Sequence, residues 1–210
     1  QSPSHVFCLN QQAEDTINGV DFIYSQDLDE GINSLPNQKL VQKSIEEMEQ
    51  VTADFLRLSS RITFVDPYFG TRLDMLNPMV KFLSLCLKNS PVKSKNIAIM
   101  AKFCTKHNSD QPSAQFMLNA IKNHENFISM GLESLTLFLL KEKPHGELIH
   151  NRYIISELGA LHWGIGLDER HSEVNDDVVL LNSELFNKRF EQYCELKAFD
   201  VEDTATEKFV

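Results

Sequence analysis

Residues 148–169 read LIHNRYIISELGALHWGIGLDE, and the fold and function of the chain are inferred outward from them. The first half of this stretch is rich in β-branched and aromatic residues and has no helical periodicity, which predicts a strand. Alternation along that strand places four side chains on one face, namely His150, Arg152, Ile154 and Ser156. Gly159 predicts a turn, after which residues 160–163 form a second short strand. Gly164 and Gly166 then bring the backbone close to another group or end the strand pairing.

His150 and Arg152 are the residues of this stretch that suit phosphate chemistry. A guanidinium group can hold two oxygens of a phosphoryl group in a bidentate fork. An imidazole can attack phosphorus or move a proton. The alternative is structural, with either side chain forming an ion pair with an acidic neighbour such as Asp66 or Asp168. The residue types alone leave both interpretations open.

The same stretch resembles the signature of the phospholipase D superfamily. That signature is a His, a Lys two positions later, an Asp five positions after the Lys, and a Gly fourteen positions after the His. The corresponding residues in this chain are His150, Arg152, Glu157 and Gly164. Arginine therefore stands where lysine is usual and glutamate where aspartate is usual. Ile165 and Leu167 replace the serine and asparagine that normally follow the glycine.

A variant of the signature is more similar still to the phospholipase D-like domain at the C-terminus of some microtubule-interacting-and-trafficking (MIT) proteins. In this chain the variant consists of His150, Arg152, Gly159, Gly164, Gly166, Leu167 and Asp168. Members of that subgroup are regarded as lacking the full catalytic motif. The resemblance implies an α/β fold, a phospholipase D-like mixed sheet flanked by helices, over residues 38–196.

Enzymes of this superfamily bring two such motifs together at one site, whereas this chain has one copy. The resemblance therefore implies a homodimer in which His150 of each subunit faces its mate across a two-fold axis. One imidazole would attack phosphorus to form a phosphohistidine, and the other would protonate the leaving oxygen. Arg152 would hold the non-bridging oxygens, and Glu157 would orient the imidazole. This chemistry requires no metal and no cofactor.

Further substrate-binding residues are predicted beside the motif. Residues 61–65 read as a short buried strand that Pro67 ends. Asp66 and Tyr68 then lie at the C-terminal edge of a strand, where α/β sheets commonly bind ligands, although a plain turn is the alternative. Trp163 either stacks on a base or sugar or belongs to the core. The complete predicted substrate-binding set is Asp66, Tyr68, Ser156, Trp163, Gly164 and Gly166.

Periodicity elsewhere in the chain predicts alternating helices and strands. The predicted helices are residues 38–59, 78–88, 113–128 and 184–196, and the further predicted strands are residues 61–65, 97–103, 135–141 and 178–181. This order predicts a mainly parallel sheet as far as residue 141, followed by strands that meander. The first helix has an apolar side that packs on the sheet or is exposed for docking, and a charged side that includes Lys43.

Three regions are predicted along the chain. Residues 1–36 form an N-terminal lead-in or hairpin with short strands, residues 37–197 form the phospholipase D-like domain, and residues 198–210 form a frayed, polar tail. Within the domain, the acidic residues between 169 and 177, Asp176 among them, are predicted to lie in a solvated loop.

Composition narrows the class of protein. The 210 residues are 42% hydrophobic and 24% charged, which is typical of a globular domain. The net charge of -10 disfavours non-specific binding to duplex DNA. No apolar run is long enough to span a bilayer, and no secretion signal is present. The four cysteines are scattered, which predicts reduced thiols in a cytosolic protein and no metal site.

The sequence therefore predicts a cytoplasmic, homodimeric phospholipase D-like phosphodiesterase, nuclease-like and acting on nucleic acid. The alternative is an inactive domain of the same fold that binds phosphate-bearing ligands, either lipid head groups or nucleic acid, or a protein partner. A third interpretation is an interaction subunit of a larger assembly such as a defence system. The catalytic candidates in the first interpretation are His150, Arg152 and Glu157.

Overall fold

The computed structural model describes residues 4–8, 20–24, 38–70, 75–103, 111–168 and 174–209. These ranges form an α/β structure whose main feature is an eight-stranded mixed sheet with helices on both faces. The predicted class, a mixed sheet flanked by helices, is confirmed. No helix within the described ranges is long and apolar enough to cross a membrane.

Ten strands and four α-helices make up the described ranges. The strands are β1 (Ser4–Cys8), β2 (Val20–Tyr24), β3 (Gln38–Gln42), β4 (Arg61–Val65), β5 (Lys95–Lys102), β6 (Leu132–Glu142), β7 (Arg152–Ser156), β8 (Gly159–Trp163), β9 (Asn175–Leu180) and β10 (Phe199–Lys208). The helices are α1 (Ile45–Leu58), α2 (Leu76–Leu87), α3 (Ala114–Lys122) and α4 (Ser183–Arg189), and α4 runs directly into a π-helix (Phe190–Cys194).

The strand order in the sheet is β10-β6-β5-β4-β7-β8-β9-β3. The pairs β4–β5 and β5–β6 are parallel, as the alternation of helices and strands predicted. From β7 onward the neighbours are antiparallel, which confirms the predicted meander. Because β7 runs against β4, the start of β7 lies beside the end of β4.

Each face of the sheet is covered differently. Helices α1, α2 and α3 bury apolar side chains on one face, among them Met48, Phe82 and Leu118. The other face is covered by α4 and the π-helix, through Phe186 and Tyr193. α4 and the π-helix cover only part of this second face. They leave a cavity between the sheet and the π-helix.

Residues 38–59 were predicted as one helix, which is wrong for their first part. Residues 38–42 form the edge strand β3, paired antiparallel with β9, and α1 begins only after Ser44, whose hydroxyl accepts a hydrogen bond from the Glu47 amide. A serine cap competes with continuation of a helix because its side chain bonds the backbone at the first turn. The apolar side of α1 is core, so it provides no exposed docking stripe.

Other boundaries differ by a few residues. The helix predicted over residues 113–128 begins at Ala114, where the Ser113 hydroxyl caps it by accepting a hydrogen bond from the Phe116 amide, and it ends at Lys122. The helix predicted over residues 184–196 changes to a π-helix after Arg189. β1 and β2 pair in parallel as a separate two-stranded sheet, so they are not the hairpin that was one of the two predictions for residues 1–36. The remaining residues of that region lie outside the described ranges.

The frayed C-terminal tail is also a wrong prediction. Residues 199–208 form β10, which pairs antiparallel along nearly all of β6. β10 is an edge strand, and its outward side chains are charged, which hid the buried positions Phe199 and Ala205 in the sequence. The carboxylate of Asp203 also accepts a hydrogen bond from the Ala114 amide at the start of α3.

Replacing Phe199 with alanine tests the role of β10. Phe199 is 3% exposed and contacts the Tyr193 ring at a centroid distance of 5.1 Å. We expect Phe199→Ala to lower the free energy of unfolding by about 3 kcal/mol, measured by urea denaturation. Val201→Ala is the matched control, because Val201 is 40% exposed, and it should change stability by less than about 0.5 kcal/mol. Equal stabilities for both variants would contradict a packed β10.

Candidate functional site

Several of the predicted site residues meet at one edge of the sheet. Asp66 and Tyr68 follow the end of β4, and Arg152 begins β7 beside them. Trp163 ends β8 and pairs directly with Arg152. The loop of residues 164–168 follows Trp163, so it lies at the same edge. We call this edge, where β4, β5, β6 and β8 end, the carboxyl edge.

Arg152 is held in place by an aromatic ring and a carbonyl. Its guanidinium carbon lies 4.9 Å from the centroid of the Tyr68 ring, in a cation–π arrangement. Its Nη1 donates a hydrogen bond of 3.4 Å to the carbonyl oxygen of Gly164. Its Nε is buried and has no hydrogen-bond partner within the described part of the chain. The guanidinium is therefore oriented, yet it retains unused donor capacity.

Asp66 connects the end of β4 to the loop after β8. It is fully buried, and its two carboxylate oxygens accept hydrogen bonds from the Tyr68 amide at 3.0 Å and the Leu167 amide at 3.1 Å. Burial raises the pKa of Asp66, while these two amides and the charge of Arg152 oppose the rise. Asp66 thus positions both Tyr68 and the loop that faces Arg152.

Two glycines allow the loop to approach the carboxylates closely. A Cβ atom on Gly164 would lie 2.7 Å from an Asp176 oxygen. Gly166 has φ +137°, and a Cβ there would lie 2.9 Å from an Asp168 oxygen and 3.7 Å from Arg152 Nε. The absence of side chains at these two positions therefore leaves the backbone of the loop directly beside the guanidinium.

Lys43 holds the loop of residues 164–168 from its buried side. Its side chain is fully buried, and Nζ donates a hydrogen bond to the carbonyl of Gly166. Nζ lies 3.7 Å from Asp168 Oδ1, 3.8 Å from Asp176 Oδ2 and 5.5 Å from the centroid of the Trp163 ring. Asp176 in turn accepts hydrogen bonds from the Ile165 amide at 3.0 and 3.1 Å. We call Lys43, Asp168 and Asp176 the buried ion cluster.

Both Lys43 and Asp176 were wrongly predicted to be solvated. Lys43 directly follows the edge strand β3, and Asp176 lies at the second position of β9. Reading residues 38–59 as one helix placed Lys43 on its outer face. The sequence does contain a signal for the position of Lys43. Lys43 directly precedes Ser44, a helix N-cap, and the residue before an N-cap lies outside the helix.

Glu157 and Ser156 lie at the opposite end of β7 from Arg152. Glu157 accepts hydrogen bonds from the amides of Ser60 and Arg61, before and at the start of β4. The Ser156 hydroxyl accepts a hydrogen bond from the Leu158 amide. Glu157 lies five positions after Arg152, a span of about 16 Å along an extended strand. The predicted roles of Glu157 and Ser156 beside Arg152 are therefore not met within one chain.

His150 is exposed and lies two residues before β7, so it belongs to the carboxyl edge but not to the strand face on which it was predicted. Its neighbour is Glu142, which accepts hydrogen bonds from Lys102 Nζ at 2.6 Å and the Ile149 amide at 2.8 Å. Burial is the largest influence on Glu142 and raises its pKa, but these hydrogen bonds, with the charges of Lys102 and His150, hold the pKa below its ordinary value.

The charges of the carboxyl edge are largely matched in pairs. Lys43 faces Asp168 and Asp176, and Lys102 bonds Glu142. Arg152 makes no ion pair within 4 Å in the described ranges, and its charge opposes the rise in the pKa of Asp66 that burial causes. Among the described residues no group of three His, Cys, Asp or Glu side chains is arranged to hold a metal ion.

Comparison with known proteins gives little further information. No protein-family model and no curated protein matches the chain. One solved structure that it resembles is that of TrmBL2, described as an archaeal chromatin protein with a novel mode of DNA binding. The two are 12% identical, the match covers 79% of this chain and 54% of TrmBL2, and the TM-score is 0.36. This chain thus spans about half the length of TrmBL2, and the likeness supports no conclusion on function.

The buried ion cluster can be tested by removing its cation. Lys43→Met leaves two buried carboxylates without their counter-ion, and we expect it to lower the free energy of unfolding by about 3–5 kcal/mol. Lys39→Met is the matched control, because Lys39 is exposed on the same strand, and it should be nearly neutral. Urea denaturation of both variants measures the difference. A Lys43→Met variant as stable as the control would show that the cluster contributes nothing.

The raised pKa of Asp66 predicts a pH dependence of stability. The folded state holds the Asp66 proton at pH values where the unfolded state has lost it, so the stabilisation is present below the ordinary pKa of 3.8 and is lost as the pH rises through the folded value. We therefore expect the stability of the native protein relative to Asp66→Asn to fall as the pH rises above the ordinary value of 3.8. The variant also loses a hydrogen-bond acceptor, which changes its free energy of unfolding by an amount that does not depend on pH. The test is therefore the slope of the stability difference against pH. A flat or rising difference would contradict the prediction.

Proposed function

We propose that this chain is a phospholipase D-like domain that recognises a phosphate-bearing ligand through Arg152. The observation that carries the proposal is the state of that guanidinium: it is stacked on Tyr68, has no ion pair in the described ranges, and keeps a buried Nε donor without a partner beside the Gly166 backbone. Guanidinium groups bind phosphoryl oxygens in a planar, bidentate manner, and an arginine that is already oriented loses less entropy on binding.

The surroundings of Arg152 support the same ligand chemistry. Lys102 lies at the same edge and adds positive charge, although it is bonded to Glu142. Tyr68 is 48% exposed, so a base of a nucleic acid has access to an aromatic surface next to the phosphate position. Phosphate could come from single-stranded nucleic acid or from a lipid head group, and the shared chemistry is the phosphoryl group.

A second candidate is metal-independent phosphodiesterase activity on nucleic acid in a homodimer. The observation that favours it is the exposure of His150 at the carboxyl edge, where the imidazole of a second subunit can approach it across a two-fold axis. In that arrangement two His150 side chains would provide the nucleophile and the acid, and Arg152 would hold the phosphate. Glu157 would take no part, because it bonds the start of β4 at the other end of the sheet.

Binding measurements test the first candidate. The probes are a fluorescent single-stranded oligonucleotide and vesicles that contain phosphatidic acid, each at low salt. We expect Arg152→Ala to weaken binding about 10- to 100-fold, because it removes charge-assisted hydrogen bonds, and Arg152→Lys to restore only part of it. Lys93→Ala is the control, because Lys93 is an exposed cation just before the start of β5, at the opposite end of the sheet.

The outcomes separate the possibilities. Binding of only one probe identifies the source of the phosphate. Equal loss in the Arg152→Ala and Lys93→Ala variants would indicate attraction to surface charge in general and would overturn the proposal, as would no binding of either probe. Turnover of bis(nitrophenyl) phosphate in the presence of EDTA, abolished by His150→Ala, would establish the second candidate. Binding of a probe without turnover would support the first candidate, phosphate recognition without catalysis.

A further inference from the structure

A second candidate site lies at the other end of the sheet, on its less covered face. It is a cavity of about 300 Å³ between the sheet and the π-helix. Arg61, at its mouth, begins β4, whereas Asp66 of the Arg152 site follows the end of that strand. The two residues are five positions apart, which spans roughly 16 Å in an extended strand, so the two sites are separate. Ser156 and Glu157, which were both predicted to lie at the Arg152 site, line this cavity instead.

The floor of the cavity exists because small side chains occupy the middle of the sheet. Thr63, Ala98 and Thr136 are direct neighbours across β4, β5 and β6 and point to the same face. The next row on that face carries the larger side chains of Met100 and Phe138. The step in side-chain size leaves a depression with an apolar end, which is the usual composition of a small-molecule site.

The wall of the cavity is built from irregular backbone. The π-helix contributes Phe190 and Cys194, and Leu196 follows with φ +55°. A left-handed conformation is unfavourable for a residue with a bulky side chain, and π-helical turns are rare and frequently occur at functional sites. The hydroxyl of Thr63 accepts a hydrogen bond of 3.5 Å from the Cys194 thiol, which joins wall and floor. The chain thus maintains costly geometry where the cavity requires it.

At the mouth of the cavity lies the guanidinium of Arg61, a positive group without an ion pair in the described ranges. Ser134 donates its hydroxyl hydrogen to Asn96, and both Glu157 oxygens accept hydrogen bonds from residues 60–61. The guanidinium of Arg61 makes no ion pair or side-chain hydrogen bond with any residue in the described ranges. An apolar interior therefore opens next to an available guanidinium.

We propose that this cavity binds a small amphipathic anion, with its apolar body on Ala98 between Phe138 and Leu196 and its anionic group on Arg61. The volume is at the lower end for ligand sites, which restricts the occupant to a compact molecule such as a medium-chain carboxylic acid. The anion is selected by Arg61, because a bidentate carboxylate contact provides charge-assisted hydrogen bonds that a neutral molecule of the same length cannot form. This site is independent of phosphate recognition at Arg152.

Octanoate is the probe, 1-octanol is its uncharged counterpart, and calorimetry on the intact chain is the measurement. We expect saturable binding of octanoate at one site. Arg61→Gln should weaken octanoate binding about tenfold and leave 1-octanol binding unchanged. Ala98→Leu should abolish binding of both molecules, because its side chain fills the floor. Thr136→Ile provides a second filled cavity if Ala98→Leu does not fold.

Control variants make the result decisive. Arg152→Ala should leave octanoate binding unchanged, because it lies at the other end of the sheet. Binding that persists in every folded, cavity-filled variant would place octanoate elsewhere and overturn the proposal. Absence of saturable octanoate binding by the native protein would overturn it as well. If Arg61→Gln weakened the binding of octanoate and 1-octanol equally, Arg61 would not select the anion, and the proposal of an anion site would be overturned.

Discussion

The arrangement of the carboxyl edge depends on one buried ammonium group. Lys43 reaches from the end of β3 to two carboxylates, Asp168 after β8 and Asp176 in β9, and to the carbonyl of Gly166. A buried charge without a counter-ion costs several kcal/mol, so these three segments are stable only when they are together. The edge strand β3 therefore does more than extend the sheet, because it delivers the cation on which the loop after β8 rests.

The position of Arg152 follows from that loop through short, directed contacts. The Leu167 amide donates to Asp66, Asp66 also accepts from the Tyr68 amide, and the Tyr68 ring lies against the guanidinium. The Gly164 carbonyl accepts from the guanidinium directly. Lys43 lies beside two carboxylates, Asp168 and Asp176, whereas Arg152 makes no ion pair within 4 Å in the described ranges. The charge of Arg152 acts on Asp66, where it opposes the rise in pKa that burial causes. The proposed phosphate recognition rests on this unpaired state of the guanidinium.

Much of this was predictable from the sequence, and the failures have physical reasons. Buried strands such as residues 61–65, and the position of Asp66 and Tyr68 at the end of one, followed from apolar runs and a proline that ends a strand. Their grouping with Arg152 was predicted through the resemblance, and the Tyr68 ring does lie against the guanidinium. Lys43 was missed because helical spacing on both sides of Ser44 hid the start of α1. β10 was missed because an edge strand that is charged on its outer side resembles a polar tail. In each failure the deciding contact is between segments far apart in sequence, which local periodicity does not report.

The separation of Glu157 from Arg152 shows why a linear signature does not by itself define a site. Both residues belong to one short antiparallel strand and its end, and an extended strand carries residues five positions apart to opposite ends of the sheet. Glu157 binds the backbone at the start of β4, so moving it toward Arg152 would leave two amides without an acceptor. The same strand pair therefore supports two sites of different chemistry. One holds a stacked guanidinium and glycine backbone, and the other has an apolar floor with an arginine at its mouth.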